Sequence, residues 1–74
     1  MNAMPLEIRR EIENRLTQAV AQSALIQLNR EHGGVVLLQC DLTCETDHVE
    51  GTNRDGEWVE VPYSDIKAVS LAPK

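Results

Sequence analysis

The apolar residues of this chain change their spacing once, between Val20 and Ile26, and that change limits the fold more than any other feature. Before it, Ile8, Ile12, Leu16 and Val20 recur at every fourth position, with Glu7, Arg9, Arg10, Glu11, Glu13, Asn14 and Arg15 between them. That is a helix with one apolar stripe. After it, Ile26 and Leu28 alternate with Gln27 and Asn29, the two-residue period of a strand with one buried face. An α+β chain is expected, with the helix first.

The helix has a well-marked start. Pro5 suits a first turn, where its missing N–H has no partner to lose. Glu11 precedes Arg15 at i,i+4 and Glu7 precedes Arg10 at i,i+3, each pair contributing about 0.2–0.5 kcal/mol. The end is contested. Ala19 to Leu28 are good helix formers and Gly33-Gly34 would stop a helix, so propensity alone allows one running to Glu31. The alternation after Ala24, followed by His32-Gly33-Gly34 and a second apolar run, reads instead as a hairpin. The helix is therefore expected over 5–23.

From Val35 to Cys44 the even positions Val36, Leu38, Cys40, Leu42 and Cys44 share one face, and Gln39, Asp41 and Thr43 the other, which predicts one long half-buried strand. His48 to Thr52 is a third strand, Asn53-Arg54-Asp55-Gly56 a turn and Glu57 to Val61 a fourth strand, whose pairing Pro62 should end. Ser64-Asp65-Ile66 reads as one tight helical turn before a closing strand, Lys67 to Leu71. Without repeats or a linker, residues 1–74 are expected to form a single domain. Its strands, over 24–72, would make a small five-stranded antiparallel SH3-like or Sm-like barrel, which closes on itself and leaves no exposed edge.

The core must be aliphatic, because Trp58 and Tyr63 are the sole aromatic residues. Leu6, Ile8, Ile12, Leu16, Val20, Leu25, Ile26, Leu28, the apolar positions of Val35 to Leu42, Val59, Val61, Ile66, Val69 and Leu71 are its candidates. A chain of 74 residues is close to the smallest that folds without disulfides or metal, so a homodimer through the N-terminal helix, or another partner, is expected to assist.

Seven Lys and Arg against twelve Asp and Glu leave a net charge of −5. Arg9, Arg10 and Arg15 fall on the helix and Arg30 just beyond it, whereas Asp41 to Glu60 is acidic with only Arg54 in opposition. The domain is thus expected to be electrically two-sided. No stretch approaches the roughly 20 apolar residues of a membrane span, and no signal-like segment opens the chain. A cytoplasmic protein with no membrane partner is expected, and Cys40 and Cys44 are too few and too close for a secreted disulfide framework.

The segment Asp55-Gly56-Glu57-Trp58-Val59-Glu60-Val61-Pro62-Tyr63-Ser64-Asp65-Ile66-Lys67-Ala68-Val69 resembles the YolD-like small proteins of bacteria. Those proteins join a charged helix to a small Sm-like barrel ending in a Pro-aromatic-x-Asp-Ile pattern. The order of elements is similar over residues 6–71, and the specific match covers about ten residues. The chain departs from that family in lacking aromatics from Leu25 to Arg30 and in being acidic from Asp41 to Glu50. Its architecture and acidity are also similar to the Rho-binding antiterminator, an acidic barrel with an N-terminal helix. That likeness implies a regulator which occupies a nucleic-acid-binding surface on a protein partner.

Cys40, Cys44 and His48 recur at four-residue intervals and would stack as zinc or iron ligands on a helix. On a strand four residues span roughly 13 Å, too far for two thiolates to share a metal, so both cysteines read as core. Asp47, His48 and Glu50 contain the ingredients of an acid–base site. On a strand, however, Asp47 and His48 would point to opposite faces, and no nucleophile lies near. Gly33-Gly34 is a turn, since no phosphate-loop Lys-Ser/Thr follows it. No enzyme, metal or cofactor is expected.

Trp58 is either packed under the helix or an exposed anchor. If Val59 and Val61 face inward, Trp58, Glu60 and Pro62 face out. Tyr63 should close the bottom of the barrel with its hydroxyl on a backbone group. The expected function is a non-enzymatic interaction module, with Trp58, Glu60, Glu50 and Asp41 meeting a basic protein surface. The alternative is a nucleic-acid-binding barrel using Arg9, Arg10, Arg15 and Arg30, which the net charge and the lack of stacking aromatics disfavour.

Overall fold

The computed structural model describes residues 5–74. Helix α1 spans Pro5–Gln22 and strands follow at β1 (Ala24–Arg30), β2 (Val35–Leu38), β3 (Thr43–Cys44), β4 (His48–Thr52), β5 (Trp58–Pro62) and β6 (Ile66–Pro73), with a 3-10 turn at Tyr63–Asp65 before β6. The class is α+β, as the change of period predicts. Ser23 ends the helix by taking φ 53°, a left-handed conformation that turns the chain out of the helical path. The strand alternation therefore prevails over helix propensity, and nothing helical continues toward Glu31.

The helix stripe begins as predicted and then rotates. Ile8, Ile12 and Ala19 are buried and Leu16 is half-buried, but Leu6 and Val20 are 57% and 63% exposed. A four-residue step overshoots a full turn by about 40°, so Val20 stands about 120° away from Ile8. Ala19 returns to within about 20° of Ile8 and takes the core position. Its small side chain lets α1 lie close on β1 and β6.

Six strands form two three-stranded antiparallel sheets, ordered β2-β1-β6 and β3-β4-β5. The β1–β2 hairpin turns at Gly33 and Gly34, whose φ values of 107° and 77° few other residues adopt. The single strand expected from Val35 to Cys44 is broken at 39–42, and its burial alternation survives only in part, since Leu37 and Gln39 are half-buried like Val36 and Cys40. Leu38 and Leu42 are buried, Val36, Cys40 and Cys44 half-buried, and Val35, Asp41 and Thr43 exposed.

The break has a local cause. The Asp41 carboxylate accepts hydrogen bonds from the Thr52 amide, at 3.2 Å, and from the Thr52 hydroxyl, so a side chain takes a place on β4 that a continuous strand would fill. The chain also passes so close to Gly51 that a Cβ there would lie 2.8 Å from the Leu42 Cα. Between the two sheets, Leu38 and Asn53 form an isolated bridge. The result is six strands in two small sheets rather than five in a closed ladder.

At the other end, Pro62 stays paired opposite His48 and the strand stops there, as the proline predicts. The 3-10 turn begins one residue earlier than expected, at Tyr63, and β6 runs on past Leu71 to Pro73. β6 pairs along β1 with a bulge at Asn29/Arg30. The deepest side chains are Tyr63, Ile12, Ile26, Leu28, Leu38, Val49 and Val61, so one core joins α1 to both sheets. Among the described residues, no helix is long and apolar enough to cross a membrane.

Candidate protein-interaction face

On β4 and β5 the alternation puts Val49, Gly51 and Val61 in the buried layer, with Val59 half-buried beside them. His48, Glu50, Thr52, Trp58, Glu60 and Pro62 are thereby turned onto the outer face. The register sets Thr52 opposite Trp58, Glu50 opposite Glu60 and His48 opposite Pro62, with Thr43 of β3 opposite Glu50. Asp41 joins them through its bonds to Thr52. The four residues expected to meet a partner, Trp58, Glu60, Glu50 and Asp41, thus lie on one face in adjacent rows. Trp58 is 59% exposed, which decides between the two placements open to it.

Two carboxylates directly opposed across a ladder repel, and His48 offsets that repulsion. Its Nε2 lies 2.8 Å from Glu50 Oε1 and 3.9 Å from Glu60 Oε1, and its Nδ1 lies 2.7 Å from Asp47 Oδ1. The hydrogen bond to Asp47, followed by the one to Glu50, raises the His48 pKa from 6.5 to about 9. The ring is therefore an imidazolium at neutral pH, donating from both nitrogens. The same bond holds the Asp47 carboxyl below its ordinary range, and the Thr52 hydroxyl and amide do so for Asp41.

The expectation that Asp47 and His48 diverge is overturned. Asp47 precedes β4, in a bend, so strand alternation does not govern its direction and its side chain swings back to the imidazole. His48 and Glu50 share a face by simple i,i+2 spacing, which the sequence carried. The approach of Glu60 depends on the β4–β5 register, for which the sequence offers only the turn at Asn53 to Gly56.

That turn is organised by Asn53, whose Oδ1 accepts the amides of Asp55 and Glu57, both at 2.9 Å. Its amide donates to the Glu57 carbonyl at 2.7 Å, and its own carbonyl accepts from the Gln39 side chain at 2.9 Å. The residue next to Trp58 is fixed in this way, and the turn is tied to the segment that links the sheets.

Donor atoms of His48, Glu50 and Glu60 lie within 4.8 Å of one another, a spacing that a divalent cation can use. At neutral pH the His48 imidazolium is already the cation among these carboxylates. Cys40 and Cys44 do not join His48. The Cys40 thiol faces the Ala24 carbonyl at 3.6 Å, and burial pushes the Cys44 thiol up, toward the protonated form. Both are free and half-buried against the core. They no longer share one strand, so the distance argued from strand rise does not apply to them.

The arginines are turned mainly to local partners. Arg9 pairs with Glu13 at 3.7 Å, and Arg15 with Glu11 at 3.1 Å and with the Gln18 side chain at 3.1 Å. Arg30 sits at the end of β1, where its guanidinium caps the hairpin by donating to the Gly33 carbonyl at 2.6 Å. Arg10 is exposed on α1. No family model, curated protein or solved structure matches the chain.

Proposed function

We propose that the chain is a non-enzymatic protein-interaction module whose outer β3–β4–β5 face binds a basic protein surface, in the manner of a regulator of a nucleic-acid-handling protein. The observation that carries this reading is the exposed Trp58 on the same face as Glu50, Glu60 and Asp41. A large aromatic beside carboxylates suits a Lys or Arg partner, which gains both charge pairing and cation–π contact. A net charge of −5 favours such an encounter at a distance. The order of helix, bent strand pair, two short strands, 3-10 turn and a last strand returning to β1 supports reading the two sheets as an SH3-like or Sm-like barrel, left open between β2 and β5. The likeness to YolD-like proteins and to the antiterminator belongs to the same proposal.

The test is a pair of titrations at low salt, one with poly-lysine and one with single-stranded RNA. Binding of poly-lysine that weakens with salt, with Trp58→Ala and with Glu60→Lys is expected. RNA binding at micromolar protein without poly-lysine binding would overturn the proposal in favour of the arginine-bearing side.

A further inference from the structure

The backbone of β5 is open on one side. Asn53 donates to the Glu57 carbonyl at 2.7 Å and Tyr63 to the Asp47 carbonyl at 3.1 Å, and these two rungs bracket the β4–β5 ladder. Bonded and non-bonded pairs alternate in an antiparallel ladder, so the bonded rungs between them are Gly51 with Val59 and Val49 with Val61. The N–H and C=O groups of Trp58 and Glu60 consequently point away from β4. Among the described residues, no strand pairs with that edge. Pro62 falls in the same outward phase, which explains how it keeps its place in the ladder without an N–H.

Beside this edge lies a cleft of about 240 Å³ that reaches β2 and is lined by Val35, Val36, Leu37 and Val59 and by Asn53, Arg54 and Asp55 of the β4–β5 turn. Val35 is 55% exposed. An open edge therefore runs between an acidic outer face and a cleft that is aliphatic along β2 and at Val59 and polar at the turn, where Asp55 stands beside Arg54.

We propose that the partner supplies an extended basic segment that adds to β5 as an antiparallel strand, a mode that rests on the acidic-face reading above. Its main chain bonds to Trp58 and Glu60. Residues directly opposite these two share their face, so those positions carry Lys or Arg toward Glu60, Glu50 and the Trp58 ring. The intervening positions point inward and carry aliphatic side chains into the cleft.

Charge selects this occupant over a second copy of the chain. Pairing β5 with its twin would bring two copies of the same acidic face edge to edge, with Glu60 of each at the seam and Glu50 behind it, and an edge charge and a proline are devices by which sheets resist pairing with themselves. A basic strand turns the same Glu60 into an attraction.

The experiment uses the whole chain and a fluorescein-labelled peptide of alternating lysine and valine, with two further versions N-methylated either at every lysine or at every valine. In the proposed register the lysine N–H groups face β5 and the valine N–H groups face away. Methylation at lysine should weaken binding at least about tenfold and methylation at valine should have little effect. Hydrogen exchange at the Trp58 and Glu60 amides should slow when the parent peptide binds.

Equal binding of all three peptides, or unchanged exchange at Trp58 and Glu60 in the bound state, would overturn strand addition and leave the acidic-face reading standing. The same holds if the parent peptide fails while a helical peptide of equal charge binds. Failure of every basic peptide would overturn both.

Discussion

The Tyr63 hydroxyl donates a hydrogen bond to the Glu45 carbonyl at 2.6 Å, from a side chain that is only 1% exposed. This bond fastens the 3-10 turn before β6 to the segment that leads into β4. Burial raises the phenol pKa above its ordinary value, which keeps the hydroxyl protonated as a donor. Tyr63→Phe should retain the packing and lose the bond, costing about 1 kcal/mol. Tyr63→Ala should cost about 3–5 kcal/mol, since it also empties the core. Urea denaturation measures both, and equal losses would show that the ring is not the anchor.

Gly51→Ala should destabilise the fold by about 1–3 kcal/mol, because its new methyl meets main chain and cannot be relieved by a rotamer change. The Leu42 Cα lies 2.8 Å from that Cβ position. Thermal melting should show the loss, and an unchanged melting temperature would mean that the crossing of the 39–42 segment over β4 is looser than drawn.

The His48 imidazole should titrate near pH 9 by NMR. Its folded pKa is raised above 6.5, so the stabilisation from its bonds is complete below pH 6.5 and disappears as pH rises through about 9. Asp47→Asn should move the titration back toward 6.5 more than Glu60→Gln does, since Asp47 makes the leading contribution and Glu60 lies 3.9 Å away. On the acid side Asp41 and Asp47 act with the opposite sign. Their pKa values are lowered from 3.8, so their stabilisation is present above that value and is lost as pH falls through the lowered ones.

Trp58→Ala should leave stability within about 0.5 kcal/mol of the parent, as exposed positions do, while reducing poly-lysine binding. Asn53→Ala should do the reverse first, costing about 1–2 kcal/mol through the amides left without their acceptor, and reduce binding only as Trp58 loses its fixed neighbour. Denaturation and titration of the two variants together separate an anchor from its support.

Leu6 and Val20 are both exposed on α1, and the homodimer expected from the sequence would cover them there. Sedimentation equilibrium should then show dimer and the melting temperature should rise with concentration. A monomer with a concentration-independent melting temperature would exclude it.

Local period by itself determined much of this protein. It marked a helix over 5–23, one residue past the observed end at Gln22, the hairpin at Gly33-Gly34 and the inward phase of Val61, and it made an outward Trp58 and Glu60 conditional on an inward Val59 and Val61. Even where the long strand fails, Leu38 and Leu42 fall buried and Asp41 and Thr43 exposed, because the side-chain period reports solvent and core rather than hydrogen-bonding partners. The helix stripe was legible for Ile8 and Ile12 and misread at Val20, where strict four-residue spacing departs from the helical turn.

Tertiary structure alone decided where the strands part and what their side chains meet. Asp41 bonds to Thr52, eleven residues along the chain, and Leu42 passes against Gly51. Both contacts join segments whose separate patterns contain no record of each other. The gathering of Asp47, Glu50 and Glu60 around His48 has the same origin. One carboxylate arrives from a bend, one from the same strand, and one from the neighbouring strand, and only the register of β4 on β5 sets how close the last can come.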